Sequence, residues 1–353
     1  MRPTILTTLA ITIAAAAGAT LLSPATTRAA AAATAADEPL LALARSTPVD
    51  EYAGWLLFSR WDGRRYRLSS WHDGELRDLP VRSQSTVFDA DLGPDSKGRP
   101  SVVVSLCDGS CDLFVTGLGV GDRLRPVRNA NTTGHDEVAP TVWKGRLAFG
   151  RRYGADTVIP YTKRLQWPRS RPSERLAGLP ARRCGAIDPP DCRRIEDVRL
   201  AAMDLWGRWV AQRWTYRPDG FGGARQNEVR LTNVGRTDTR QVAHMSTGIG
   251  GQTYLGPSIA EGRVAFLRAC HGDPGGCSTS NSGAIRYRIS NGRYELDGAV
   301  AAWSGWAWSG ATAYRVSSDY ACAGGDPGVA VEPCGIYRRR GLDWRPIDAE
   351  RVR

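Results

Sequence analysis

Six glycine-marked turns, each followed by a short β-rich run, predict an all-β fold: a six-bladed β-propeller of four-stranded antiparallel blades, stapled by local disulfides. Three observations carry this reading. The turn-and-run segment recurs at about blade length, the intervals read as β-meanders, and no long helical periodicity follows the N-terminal apolar run.

The chain opens on Met-Arg, an apolar run from Ile5 to Leu22, and small residues from Ala25 to Ala36. A basic start, an apolar stretch and an Ala-rich zone make a secretory signal over residues 1–30, with cleavage between 29 and 36 and an Ala-rich linker at 31–38. An apolar run of about 18 residues is at the lower limit for a membrane span, so a retained anchor is the poorer reading. No later stretch is apolar enough to span a bilayer, so no transmembrane segment is expected after cleavage. Residues 39–350 then form a single propeller domain, secreted to the cell envelope or the exterior.

The formal charge is +11, and all basic residues except Lys97, Lys144 and Lys163 are arginine. These arginines are scattered, with one tight cluster at Arg338-Arg339-Arg340. A nucleic-acid binder concentrates its charge on one face, so no nucleic-acid partner is expected, and the domain is expected to be a monomer.

The eight cysteines fall in neighbouring pairs: Cys107/Cys111, Cys184/Cys192, Cys270/Cys277 and Cys322/Cys334. Export permits disulfides, and proximity selects the nearest-neighbour pattern from the many connectivities available. Asp108-Gly109-Ser110 between two β-rich runs is a hairpin signal, and facing residues at a hairpin end lie within disulfide reach. Zinc is the rival reading, but no pair has knuckle spacing and His271 has no second histidine at ligand distance.

The repeat glycines are Gly54, Gly98, Gly145, Gly207, Gly262 and Gly310, spaced 44, 47, 62, 55 and 48 residues apart. A four-stranded blade takes about 40–50 residues, so the two long intervals hold insertions, the first at about 164–194. In the first interval, strands are predicted at Trp55–Trp61, Arg65–Trp71 and Glu75–Val81, joined by Asp-Gly turns. In the third, the strands are Ala139–Trp143, Arg146–Arg151, Thr157–Thr162 and Glu174–Leu179. The ring is expected to close with Leu40–Arg45 beside Leu342–Ile347.

Three segments carry a resemblance: His135-Asp136-Glu137-Val-Ala-Pro140-Thr-Val-Trp-Lys-Gly145-Arg-Leu-Ala-Phe149, Gly93-Pro94-Asp95-Ser-Lys-Gly98-Arg99 and Gly256-Pro257-Ser-Ile-Ala-Glu-Gly262-Arg-Val-Ala-Phe266. They resemble the repeats of TolB-like propellers, relatives of the WD-type propellers. The Ser-Pro-Asp-Gly turn of that repeat is never complete here, and the fourth and sixth repeats lack its proline. The resemblance implies that the first strand of each blade lines a central channel and that loops at one mouth bind ligands.

No metalloprotease, nucleophile-elbow, P-loop or dinucleotide motif is present, and no metal or cofactor is expected. Asp89, Asp91, Asp136, Glu137, Glu196 and Asp197 all lie near the predicted start of an innermost strand, where a closed propeller gathers them at one channel mouth. His135 and Gln252 join that candidate binding set. Crowded carboxylates bind a cation or raise one another's pKa; solvated turn residues are the plainer alternative. Trp55, Trp143, Trp206, Trp209 and Trp214 are expected to be buried between blades. Trp303, Trp306 and Trp308 cannot all face one side of a strand, which leaves one to be exposed. The chain thus reads as a non-catalytic binding module for a protein or glycan ligand. A glycoside hydrolase or lyase using mouth carboxylates is the alternative, and a structural envelope protein the third.

Overall fold

The computed structural model describes residues 37–119, 121–154, 157–165, 172–177, 195–218, 225–236, 239–246, 252–270, 283–298, 304–310, 312–324 and 332–352. The expected signal, most of the linker and of the 164–194 insertion, Cys184, Cys192, Cys277, His271 and Trp303 lie outside the described residues.

The strands run in chain order around a ring. After β1 (Glu38–Ala42), blade 1 is β2 (Val49–Tyr52), β3 (Trp55–Trp61), β4 (Tyr66–His72) and β5 (Glu75–Asp78). Blade 2 is β6 (Asp89–Pro94), β7 (Pro100–Asp108), β8 (Ser110–Gly117) and β9 (Arg125–Pro126). Blade 3 is β10 (Asp136–Trp143), β11 (Arg146–Arg152), β12 (Val158–Arg164) and β13 (Glu174–Arg175). Blade 4 is β14 (Ile195–Trp206), β15 (Trp209–Pro218), β16 (Gln226–Asn233) and β17 (Thr239–Ser246). Blade 5 is β18 (Gln252–Ala260), β19 (Arg263–Cys270), β20 (Gly283–Arg288) and β21 (Tyr294–Gly298). Blade 6 is β22 (Gly305–Ser309), β23 (Thr312–Val316) and β24 (Gly335–Arg340), completed by β1 on its outer edge.

The repeat glycines sit in the hairpin between the first two strands of each blade, or in the longer turn of blade 2, and all six have positive φ. Ala53-Gly54, Lys144-Gly145 and Glu261-Gly262 have positive φ at both central residues, the geometry that matches strand twist in a two-residue hairpin. In blade 4 the loop is Gly207-Arg208, so the glycine comes first.

Apolar residues from adjacent blades interleave at every described interface. Leu57, Leu68, Leu92 and Val102 fill the space between blades 1 and 2. Phe149, Leu200 and Trp214 fill that between 3 and 4, and Val229, Tyr254 and Phe266 that between 4 and 5. Trp306 and Trp308, two residues apart on one strand, share a face and are both buried between blades 5 and 6. The innermost strands β2, β6, β10, β14, β18 and β22 pack against one another in order, and β22 returns to β2.

Closure differs from the expected pairing. The N-terminal strand does close the ring, but its partner is β24: Glu38 faces Arg338, Pro39 faces Tyr337, Leu41 faces Ile336 and Ala42 faces Gly335. The segment expected there, β25 (Arg345–Ile347), instead adds a fifth strand to blade 5 beside Tyr294–Leu296. The physical cause is apolar. Leu342 and Trp344 pack into the interface of blades 5 and 6, while Ile347 and Val352 pack between blades 4 and 5. Ion pairs hold the β1 register: Arg338 meets Glu38 at 2.6 Å, and Arg315 meets Asp37 at 2.7 Å.

Two expected disulfides are present. Cys107–Cys111 clips the β7–β8 hairpin, and Cys322–Cys334 spans the equivalent β23–β24 connection. Both restrain the unfolded chain, the shorter loop by about 2 kcal/mol. Cys270 ends β19, with its expected partner outside the described residues.

Deleting Glu38–Ala42 should open blade 6 and lower the melting temperature on the order of 10 °C, measured by thermal unfolding. An unchanged melting point would reject closure by β1.

Candidate functional site

A propeller leaves one row of main-chain groups unpaired. The innermost strand of each blade presents its free edge to the channel, and buried N–H groups there need acceptors. Aspartates supply them. Asp50 Oδ2 accepts the Leu92 N–H at 2.5 Å, Asp91 Oδ2 that of Val142 at 2.8 Å, and Asp204 Oδ2 that of Ile259 at 2.5 Å. Each carboxylate thus reaches from one blade to the innermost strand of the next. Asp50 and Asp204 also accept at Oδ1, from the N–H groups of Glu51 and Leu205.

These carboxylates line the channel beneath enclosing protein. Burial pushes Asp50 up to about 6 and Asp204 up to about 8, and the negative charge of Asp50 adds to the shift at Asp204. Burial, and then the charges of Asp50 and Asp204, raise Asp91 well above the usual carboxylate range. Thr141, the residue of β10 aligned with this layer, is fully buried, and its Oγ1 has no hydrogen-bond partner.

Two cavities flank the acid layer. One, of about 190 Å³, is lined by Asp50, Asp91, Asp204, Pro257, Trp306 and Arg213. The Arg213 guanidinium donates to the Tyr254 carbonyl, and burial lowers its pKa to about 10. The other, of about 290 Å³, opens at the mouth formed by the first hairpins of the blades. Its floor includes Asp50 and Asp204, and its wall includes Glu51, Tyr52, Trp143 and Trp206. Burial is the main cause that raises Glu51, which accepts from the Gly54 N–H at 2.8 Å. Tyr52, Trp143 and Trp206 each end an innermost strand and stay partly exposed. The Tyr52 and Trp143 rings meet at 6.2 Å and 88°, and those of Trp143 and Trp206 at 6.1 Å and 52°.

The sequence-selected residues have the following places. Asp91 lines the channel. Asp89 accepts the Ala139 N–H at 2.7 Å and is exposed. Asp136 accepts the Cys111 N–H at 3.0 Å and faces Arg152 at 3.6 Å. Glu137 is fully buried and pairs with Arg151 at 2.8 Å. The His135 ring lies 4.4 Å from that of Tyr153. Asp197 is held by Arg199 and Arg225, which keep its carboxyl below the usual range although burial opposes them. Glu196 and Gln252 are described by backbone register only, opposite Arg217 and Cys270. The structure therefore brings Asp91 together with Asp50 and Asp204, two residues outside the sequence-selected set. A signal for them existed: Asp50-Glu-Tyr52 and Asp204-Leu-Trp206 share the spacing of an edge-capping aspartate and an aromatic on one strand face, and Thr141-Val-Trp143 repeats that spacing with a threonine that caps no edge. Among the tryptophans expected to be buried, Trp214 is, whereas Trp143 and Trp206 form the mouth because their positions end the channel strands.

No family model matches the chain, and no curated protein matches it in sequence. Solved structures similar to it include TolB. The Acinetobacter baumannii TolB structure is 11% identical with a TM-score of 0.42, covering 80% of this chain, which spans 62% of the TolB chain. The β-propeller domain of the Trilobed protease from Pyrococcus furiosus is 7% identical, covers 86% of this chain and 97% of its own, and has a TM-score of 0.45. The Penicillium chrysogenum alpha-L-arabinanase, solved with arabinobiose, is 11% identical, covers 90% and 99%, and has a TM-score of 0.44. Among the described residues no cluster of His, Cys, Asp and Glu is arranged to hold a metal ion, and no helix is long and apolar enough to cross a membrane.

Two outcomes follow from the buried carboxylates. A carboxyl whose folded pKa is raised gives stability that is complete below about pH 4 and is lost as pH rises through the folded value. For Asp50 that window runs from about pH 4 to about 6, and for Asp204 from about pH 4 to about 8. The melting temperature should therefore fall between about pH 4 and pH 8, and Asp204→Asn should flatten the upper half of the decline; an unflattened profile in the variant would argue against this origin. Glu137→Ala, which strands a largely buried Arg151, should cost about 3–5 kcal/mol in urea unfolding.

Proposed function

We propose that the protein is an exported, non-catalytic binding module whose recognition surface is the aromatic mouth of its channel. The carrying observation is the set of partly exposed rings, Tyr52, Trp143 and Trp206, converging over a carboxylate floor. Large rings elsewhere in the ring of blades, such as Trp214, Phe149 and Phe266, are fully covered. Aromatic walls with a few fixed polar groups are the usual composition of a ligand site. The floor carboxylates are engaged by main-chain N–H groups, which fixes them as rigid acceptors and supports recognition over turnover. The disulfides Cys107–Cys111 and Cys322–Cys334 support an oxidising location at the envelope or outside the cell.

A second reading, a carbohydrate-active enzyme, is favoured by one feature. Asp204, pushed up to about 8 beside Asp50, has the protonation of a general acid at neutral pH.

Glycan and peptide arrays probed with the purified protein test both. Binding should appear and drop about tenfold or more in Trp143→Ala and Trp206→Ala, in keeping with the loss of a stacked ring. A signal indifferent to both substitutions would overturn the mouth as the recognition surface. Release of reducing sugar from a polysaccharide panel, abolished by Asp204→Asn, would replace it with the hydrolase reading.

A further inference from the structure

Resting on that mouth as the recognition surface, we infer that it takes an organic ammonium group of the size of a lysine side chain. The charge balance comes first. Glu51, Asp50 and Asp204 line the 290 Å³ cavity, and no lysine, arginine or histidine is among its lining residues. A cationic ligand would therefore meet acidic groups and no cationic lining residue, and its charge would favour their ionised forms, although the chain as a whole is basic.

Ring geometry comes second. Tyr52, Trp143 and Trp206 stand at 88° and 52° to one another, with centroids about one ring-width apart. Coplanar rings make a platform for a flat sugar face; angled rings make the walls of a cage around a compact cation. Trp143 already accepts this role from outside, because the exposed Lys144 holds its Nζ 5.9 Å from the ring centroid.

A buried polar group comes third. The Trp308 ring lines the same cavity and is 4% exposed, and its Nε1–H meets no protein acceptor. A buried donor left unpaired is costly, and an oxygen on the ligand near its ammonium would satisfy it. A small amine carrying a hydroxyl has that composition, and a lysine side chain supplies the ammonium alone.

Intrinsic tryptophan fluorescence of the purified protein, titrated with n-butylammonium, n-butanol, Nα-acetyl-lysine amide and cellobiose, tests the inference. Butylammonium should bind at least about tenfold more tightly than butanol, the neutral compound of the same shape. Trp143→Phe should weaken it modestly and Trp143→Ala strongly, and Glu51→Gln, which keeps an acceptor for the Gly54 N–H, should weaken it with an unchanged melting point. Tighter binding of the lysine amide than of butylammonium would assign the group to a peptide side chain, and equal binding to a small amine. Equal binding of butanol, or cellobiose binding alone, would overturn the ammonium while leaving the mouth as a binding surface. No response to any of the four would overturn the inference and weaken the mouth assignment together.

Discussion

Closing six sheets into a ring leaves six strand edges facing inward. Those edges carry N–H groups that neither solvent nor a neighbouring strand fully serves, and the fold depends on how they are satisfied. Here aspartates do it in at least three places, each reaching from one blade to the next. The same bonds that pair the edges also fasten blade 1 to blade 2, blade 2 to blade 3 and blade 4 to blade 5. The cost is electrostatic, since three carboxylates near the axis repel one another and lose water. Protons offset that cost, which is why the acids rise toward neutral pH while their hydrogen bonds persist.

The ring's seam is built from a different set of forces. β1 adds the fourth strand of blade 6 through a main-chain ladder, so the earliest described segment is bonded to a strand nearly 300 residues later. Arg315 is almost wholly covered and bridges Asp37 and Glu332, and its guanidinium lies 4.3 Å from the Tyr337 ring centroid. A buried ion group of this kind adds little net stability but fixes register, because any slip of β1 would strand its charge. The C-terminal segment contributes from the other side by covering the outer edge of blade 5, leaving fewer open edges for aggregation.

The fold was legible because its signal is local. A positive-φ glycine in the turn after the first strand is a steric demand, and six such demands at blade spacing define the architecture. The acid layer was harder to read because alignment on those glycines is not alignment on the strands. The glycine is second in the blade 1 hairpin and first in that of blade 4, so Asp50 lies four residues before its glycine and Asp204 three. Blade 2 has a longer turn, which puts Asp91 seven residues before Gly98. The seam was misassigned for a related reason. Both Gly335–Arg340 and Leu342–Ile347 read as β-rich, and only the packing of Trp344 and Val352 separates the blade 6 strand from the blade 5 strand.

Strand periodicity ties the scaffold to the site. Residues two apart on a strand share a face, so the position that caps the next blade is followed by one that ends at the rim. Asp50 leads to Tyr52 and Asp204 to Trp206, and Thr141, which caps nothing, holds the same position before Trp143. The aromatic wall is therefore anchored one residue-pair above the bonds that hold the blades together, and its ring angles are set by the ring of sheets more than by loop conformation. A group bound against that wall would contact at least three blades at once and would favour the closed ring over any opened form by mass action. Recognition and ring integrity thus draw on one layer of side chains, and a substitution at Asp50 or Asp204 acts on both, whereas a substitution at Trp143 or Trp206 acts mainly on recognition.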